Sequence, residues 1–278
     1  MRASLVISYN PDIELLRENL SHLRTVIERI IIVDNNSDNK LKLVELKETF
    51  SNVTILFLDK NEGIAKATNI GFSYLSLHTD WILLLDQDSI LTKADIEELY
   101  SVKNKSELQK LAMVVPTYME RNIKSTSHHE DYRTNSSWKE VDFPIASGSL
   151  VSVKAWKSIN GYDEYLFIDR VDDDFDIRLR NKGYSLIQAK NAVINHSIGK
   201  IITINLFGNM IKIYNHGSFR KYYQARNNVI FAKRYGKTRN AYSRNIILIF
   251  KTVLFEKNKI DKTKSIIRGI RDGIQYKK

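Results

Sequence analysis

The sequence predicts an α/β fold, a mostly parallel sheet with flanking helices, followed by a basic helical C-terminal region. Three observations carry this expectation. Apolar runs of strand length alternate with segments of helical period through the first ninety residues. Several of these runs are apolar at every position, as in strands buried on both faces of a parallel sheet. The charge is also divided. From Lys200 onward there are 19 Lys plus Arg against 3 Asp plus Glu, a net of +16, whereas the preceding residues carry 24 basic and 29 acidic side chains, a net of −5.

The elements follow in order. "ASLVIS" (3–8) reads as a first strand. Pro11 and Asp12 open a helix with Ile13, Leu16, Leu20, Leu23 and Ile27 on one face. "RIIIVD" (29–34) is a second strand that ends in the polar turn "NNSDN". A helix spans about 40–50, and "VTILFL" (53–58) is a third strand. "NEGIAKATNIGFSYL" (61–75) places a glycine at a turn before a helical stretch of small residues, and "WILLLD" (81–86) is a fourth strand. Residues 118–143 are polar and irregular, which predicts a surface loop with Trp138 exposed on it. "PIASGSLVS" (144–152) is a further strand. "VDDDFDIRLRNKGYSLI" (171–187) opens acidic, as a helix N-terminus favours, and Gly183 marks its end. Beyond Gly199 the pattern is helical and basic.

Composition excludes several classes. Cysteine is absent, so neither a disulfide framework nor a thiolate metal site exists, in keeping with a reducing compartment. "MRASLVISYN" turns polar by Ser8 and has no signal-peptide core. No apolar stretch reaches the roughly 18 residues of a spanning helix. These features predict a cytoplasmic chain. Its basic third predicts an anionic partner: membrane lipid, a phosphorylated substrate or nucleic acid.

The chemistry gathers at strand ends. Asp34, Asn61 and Asp86 all fall where the chain leaves a strand at its carboxyl end, and ligands of open α/β sheets bind there. Residues 82–89, "ILLLDQDS", run an apolar strand into two carboxylates, and a lone buried carboxylate is costly. Asp86 and Asp88 could hold a metal, act as a phosphatase nucleophile and acid, or open a solvated turn. Haloacid-dehalogenase-like phosphatases end their first core strand with Asp-x-Asp, followed two residues later by Thr or Val. Here three strands come first and Ile90 occupies that place.

The ordered set "ISYN", "VDNNSD", "NEGIAKATNIGF", "LLLDQDS", "ASGSLVS", "NGYDEYLFIDRVDDDFDIRLRNKGY" and "HSIG" resembles family 2 glycosyltransferases of the GT-A fold over roughly residues 3–235. "FIDRVDDDFDIRLRNKGY" is most similar to bacterial rhamnosyltransferases acting on surface polysaccharides. The resemblance implies a nucleotide-sugar-binding and catalytic domain over 1–199. Residues 200–278 would complete the active site and associate with the anionic inner face of the cell membrane as a peripheral protein. It implies a donor, dTDP-L-rhamnose or alternatively a UDP-hexose, a lipid-linked saccharide acceptor, a divalent Mg or Mn ion, and no nucleic-acid partner. Asp86 would sit near the ribose, and Asp88 and His196 would bind the metal. Tyr9 would contact the pyrimidine, Asp34 would accept its ring N–H, and Asn61 with Gly63, Ala65 and Ala67 would let backbone approach the nucleotide. In the base motif Val171 replaces the usual Glu, leaving Asp172 as general base by alignment, with Asp173 its decoy neighbour. Arg226 in "YYQARN" would reach the diphosphate, and Trp138 could stack on a sugar. A bland reading stands beside each role: an Asx turn at Asp34, strand-end packing at Tyr9, tight packing at the alanines, a core histidine at His196 and a surface arginine at Arg226. A nucleotidyltransferase, which also pairs acids with a metal but releases pyrophosphate, and a non-catalytic basic binding protein are the readings from other classes.

Overall fold

A computed structural model describes residues 1–120, 137–196, 202–206, 209–236 and 238–277. The chain forms two compact units, one of residues 1–164 with 172–197, the other of residues 165–171 with 198–278.

The first unit is built on a nine-stranded sheet among the described residues, ordered β3-β2-β1-β4-β8-β6-β9-β5, with β7 beside β9. Strands β1 (Ala3–Ser8), β2 (Arg29–Asp34), β3 (Val53–Phe57) and β4 (Trp81–Asp86) are mutually parallel. They alternate with helices α1 (Ile13–Leu23), α2 (Lys40–Glu48) and α3 (Gly63–Leu75). The apolar runs of β1, β2 and β4 are buried almost throughout, as the absence of polar alternation requires, whereas the edge strand β3 buries only Val53 fully. Asp12 caps α1, its carboxylate accepting from the Glu14 and Leu15 N–H groups at 3.0 and 3.2 Å. Leu16, Leu20 and Leu23 of α1 join Ile30, Ile32, Leu43 and Leu46 in one core.

Beyond β4 the sheet is mixed. After the two-residue strand β5 (Ser89–Ile90) and helix α4 (Lys93–Lys105) come β6 (Leu111–Glu120), β7 (Trp138–Glu140), β8 (Ser149–Ser152), α5 (Val153–Ser158), α6 (Val171–Asn181) and β9 (Ser185–His196). β8 runs antiparallel to β4 and β6, and β9 runs parallel to β6 and antiparallel to β5 and β7. Pro116 lies within β6, and the β6–β9 register shifts between Val115 and Thr117, because proline has no N–H to give the ladder.

The loop expected over 118–143 is therefore bounded by strand at both ends, residues 121–136 lying outside the described residues. Trp138 is not an exposed loop residue. It pairs with Ala189 in the sheet and packs on the core, so sugar stacking is not the use its setting suggests.

The second unit opens with a hairpin of β10 (Ile202–Leu206) and β11 (Asn209–Ile213), where helix was expected immediately after Gly199. Helices α7 (Ser218–Tyr235), α8 (Thr238–Phe255) and α9 (Lys259–Gln275) follow. α9 lies close on α7 through two glycines. A Cβ at Gly269 would stand 2.3 Å from the Tyr222 carbonyl oxygen, and one at Gly273 would stand 2.8 Å from that of Arg226. No described helix is long and apolar enough to cross a membrane.

Candidate active site

The carboxyl ends of the parallel strands stand in register. Phe57 pairs with Asp34, Asp34 with Ser8, and Ile7 with Asp86. Neighbouring strands lie about 4.8 Å apart. Tyr9, Asp34 and Asp86 therefore share one edge of the sheet, and Asn61 follows the end of β3.

Asp34 is fully buried. Its carboxylate accepts from Ser8 Oγ at 3.1 Å, from the Ser37 N–H at 3.0 Å and from Ser37 Oγ. These bonds build the turn after β2 and neutralise the burial cost of the charge. The next residue, which sequence reasoning passed over, ties that turn to α3. Asn35 Nδ2 donates to Asn61 Oδ1 at 3.0 Å, and Asn35 Oδ1 accepts from the Glu62 N–H at 2.8 Å. Asn61 Oδ1 also accepts from the Gly63 N–H at 3.0 Å. Gly63 has φ +82°, a conformation open to glycine and strained for other residues. Tyr9 is 48% exposed, and its N–H donates to Gln87 Oε1 at 2.7 Å. The middle residue of "DQD" thus fastens the end of β1 to the acidic turn.

Asp86 and Asp88 are partly exposed at that turn. The Asp86 N–H donates to Ser147 Oγ at 2.9 Å, and Ser147 Oγ donates to Ser89 Oγ at 2.7 Å, giving the serine of "ASGS" a positioning duty. Ser89 pairs with His196, so the backbone of His196 runs beside the residue that follows Asp88. The His196 side chain lies outside the described residues. Hard carboxylate oxygens suit Mg²⁺ or Mn²⁺. Among the described residues no three acidic or histidine side chains form a cage. An ion that also binds substrate phosphates needs only one or two carboxylates, so the pair fits such an ion.

The second acidic group opens α6. Asp172 and Asp173 are partly exposed, whereas Asp174 and Asp176 are buried. Asp174 accepts from Arg178 Nε at 2.7 Å, and Arg178 Nη1 also donates to the carbonyls of Ile159 and Gly161 at 2.7 and 2.8 Å. Asp174 thereby anchors α6 to the "INGYDE" turn. Among the described residues Asp176 Oδ2 has no hydrogen-bond partner. Burial, followed by the charges of Asp172 and Asp173, pushes the Asp176 carboxyl well above the usual carboxylate range. Tyr162 stacks on Phe175 with ring centroids 3.9 Å apart. Its buried hydroxyl is pushed well above the usual phenol range by burial, then by the charges of Asp172, Asp176 and Asp86.

In the second unit Arg226 is buried, not a surface residue. Its Nη2 donates to the carbonyls of Tyr165 and Leu166, and its Nε donates to Asn227 Oδ1 at 2.9 Å. The guanidinium lies over the rings of Tyr165 and Tyr223, 4.7 and 4.6 Å from their centroids. Asn227 Nδ2 lies within hydrogen-bond range of the carbonyls of Leu166, Ile168 and Asp169, at 2.7, 2.7 and 3.0 Å. Phe167, Asp169 and Arg170 have φ of +64°, +62° and +64°, so this segment needs such anchors.

A central α/β sheet with paired carboxylates at the carboxyl end of β4 is the architecture of a GT-A glycosyltransferase. The chain belongs to glycosyl transferase family 2, whose description matches residues 5–155. It is 29% identical to the dTDP-rhamnosyl transferase RfbF of Shigella flexneri, over 98% of this chain and 95% of that protein. It is 24% identical to the low-salt glycan biosynthesis hexosyltransferase Agl10 of Haloferax volcanii, over 98% of this chain and 90% of that one. Among solved structures it is similar to the mannosyltransferase PcManGT of Pyrobaculum calidifontis in complex with GDP-Man and Mn2+. That likeness has a TM-score of 0.58 and 13% identity, covering all of this chain and 77% of that one, and it speaks for the fold alone.

Proposed function

We propose that this glycosyltransferase transfers L-rhamnose from dTDP-L-rhamnose, with inversion, to a lipid-linked saccharide at the anionic inner face of the cell membrane. The observation that carries the chemistry is the placement of Asp86 and Asp88 at the carboxyl end of β4, on the sheet edge that Tyr9 and Asp34 share. The end-to-end similarity to a dTDP-rhamnosyl transferase supports the choice of donor.

In this reading Asp172 accepts the proton of the acceptor hydroxyl as its oxygen bonds to the anomeric carbon. The bond from that carbon to the diphosphate oxygen breaks in the same displacement, and the configuration inverts. A carboxylate placed on that proton is worth about 10²–10⁴ in rate. Asp88 and His196 would hold a divalent ion, with Asp86 near the ribose, and the ion would supply Lewis-acid stabilisation of the leaving diphosphate. Tyr9, half exposed at the end of β1, would cover the pyrimidine. Asn61 would shape the α3 entrance, and Asp34, already engaged by its own turn, would offer any remaining lone pair to the base. We assign Arg226 to holding residues 165 and 166 rather than to a bidentate grip on diphosphate, because Nε and Nη2 are already committed.

A panel of nucleotide sugars scored for nucleoside diphosphate release, with metal and with chelator, tests the donor and the ion. Asp172→Asn should lower turnover by about 10²-fold or more with donor binding little changed, while Asp173→Asn costs far less. Asp88→Ala should remove metal-dependent donor binding. Wild-type transfer by Asp88→Ala at saturating donor and metal, or the reverse ranking of Asp172 and Asp173, would overturn the assignment.

A further inference from the structure

Helix α8 turns much of its apolar surface outward. Among the described residues those it buries fully are polar: Asn245, Thr252 and, just past its end, Glu256 are 2%, 0% and 5% exposed. Asn245 Nδ2 donates to the Ala225 carbonyl at 3.1 Å and Asn245 Oδ1 accepts from Asn228 Nδ2 at 2.9 Å, both on α7. Glu256 takes Lys221 of α7 at 2.5 Å and Lys262 of α9 at 2.9 Å. Leu248, Ile249 and Phe255 are partly buried, but six other large apolar residues point the other way. Ile246 is 66% exposed and Phe250 52%, with Tyr242, Ile247, Val253 and Leu254 exposed beside them. At about 100° per residue these six fall within one arc of roughly 140°. α9 repeats the pattern. It buries Ile266 together with Lys262, Gly269 and Gly273, yet exposes Ile260, Ile267 and Ile274, one per two turns.

An amphipathic helix normally turns its apolar arc inward. Two adjacent helices that bury few large apolar side chains, and leave isoleucine and phenylalanine in water along one face, are built to meet another apolar phase. The bordering charges say which. Arg244, Lys257, Lys264 and Arg271 are exposed along these stripes, and residues 200–278 carry a net +16. A second copy of the chain would set the same cations against themselves across a two-fold contact.

We infer that the exposed faces of α8 and α9 dock on an anionic lipid bilayer, the apolar stripes entering the interface while the bordering Lys and Arg bind headgroups. This deepens the proposed lipid-linked acceptor by naming the surface that would bring the enzyme to it.

The test is co-sedimentation of the full chain, without donor, with vesicles of phosphatidylcholine alone or mixed with phosphatidylglycerol. Wild-type protein should bind the mixed vesicles and release as salt rises. Ile246→Ser combined with Phe250→Ser should weaken binding about tenfold or more. Each of Lys257→Gln, Lys264→Gln and Arg271→Gln should weaken it about fivefold at low salt. Because the substituted side chains are exposed, thermal midpoints and vesicle-free donor hydrolysis should stay at wild-type values. Failure to bind the mixed vesicles, binding indifferent to both sets of substitutions, or a lipid-free dimer that Ile246→Ser with Phe250→Ser dissociates would each overturn the inference. If vesicles bind as expected but no nucleotide sugar is hydrolysed, the proposed reaction fails and the docking surface stands.

Discussion

Replacing Asn227 tests how the strained segment 165–171 is held. The side chain is fully buried, and its Nδ2 carries two hydrogens for three carbonyls, at 2.7, 2.7 and 3.0 Å. Alanine removes both donors. Each buried carbonyl left unpaired costs about 1–3 kcal/mol, so two give about 2–6 kcal/mol if the segment keeps its shape. It is under pressure to move, since three non-glycine residues hold positive φ and each costs about 1 kcal/mol or more. Release of that strain caps the loss, and we expect Asn227→Ala to cost about 2–4 kcal/mol. Asn227→Asp is nearly isosteric but turns a donor into an acceptor that faces three acceptors. It should cost more than alanine at neutral pH and recover in part below the ordinary carboxylate range, where a proton restores one donor. Urea unfolding followed by circular dichroism gives the difference in stability, and amide exchange over 165–170 shows whether the segment has opened. An unchanged midpoint for Asn227→Ala, or an aspartate variant no worse than the alanine variant at neutral pH, would refute the reasoning.

Two further outcomes are expected. Gly269→Ala would put a methyl 2.3 Å from the Tyr222 carbonyl oxygen and 3.1 Å from the Arg226 nitrogen, both backbone atoms. It should lower stability by about 1–3 kcal/mol despite alanine's better helix propensity. Gly217→Ala, whose added Cβ meets nothing within 4 Å, should lose far less, and equal thermal midpoints for the two would contradict the close helix crossing. Asp176→Asn should raise the unfolding midpoint at pH 7 but not near pH 3. The folded carboxyl holds its proton well above the unfolded value, so the wild-type penalty is absent below that value and grows as pH rises toward the folded one. A gain that persists at acid pH, or none at pH 7, would place the cause elsewhere.

The first four strands were legible because continuous apolar runs bounded by turn residues leave few alternatives, and the acids at their ends followed from the same pattern. β6 was harder. Pro116 interrupts "LAMVVPTYME", and only the pairing with β9 shows that the strand continues past it as an irregularity. The β10–β11 hairpin was hidden because its short apolar runs sit in the same basic composition as the helices that follow. In the site, Asp86, Asp88 and Asp172 carry their signal in residue type and position. Asn35, Ser147, Tyr162 and Asn227 carry almost none, because their bonds reach partners distant in the chain. Gln87 was overlooked between two aspartates. The helical spacing of Ile246, Ile247, Phe250, Val253 and Leu254 is visible in the sequence, but no periodicity can say that this side of α8 faces outward.

The division of the chain bears on how such a protein can change over generations. The path leaves the first unit at residue 165, returns at 172 and leaves again at 198. A gene exchange at a single point near residue 199 would join the C-terminal helices of one parent to the seven-residue segment of another. Asn227 and Arg226 from the first would then have to fit carbonyls whose positions depend on side chains inherited from the second. Such hybrids should fail unless both pieces travel together. The segment 165–171 and the face of α7 that holds it form one unit of inheritance, although residues 172–197 of the other unit lie between them in the sequence.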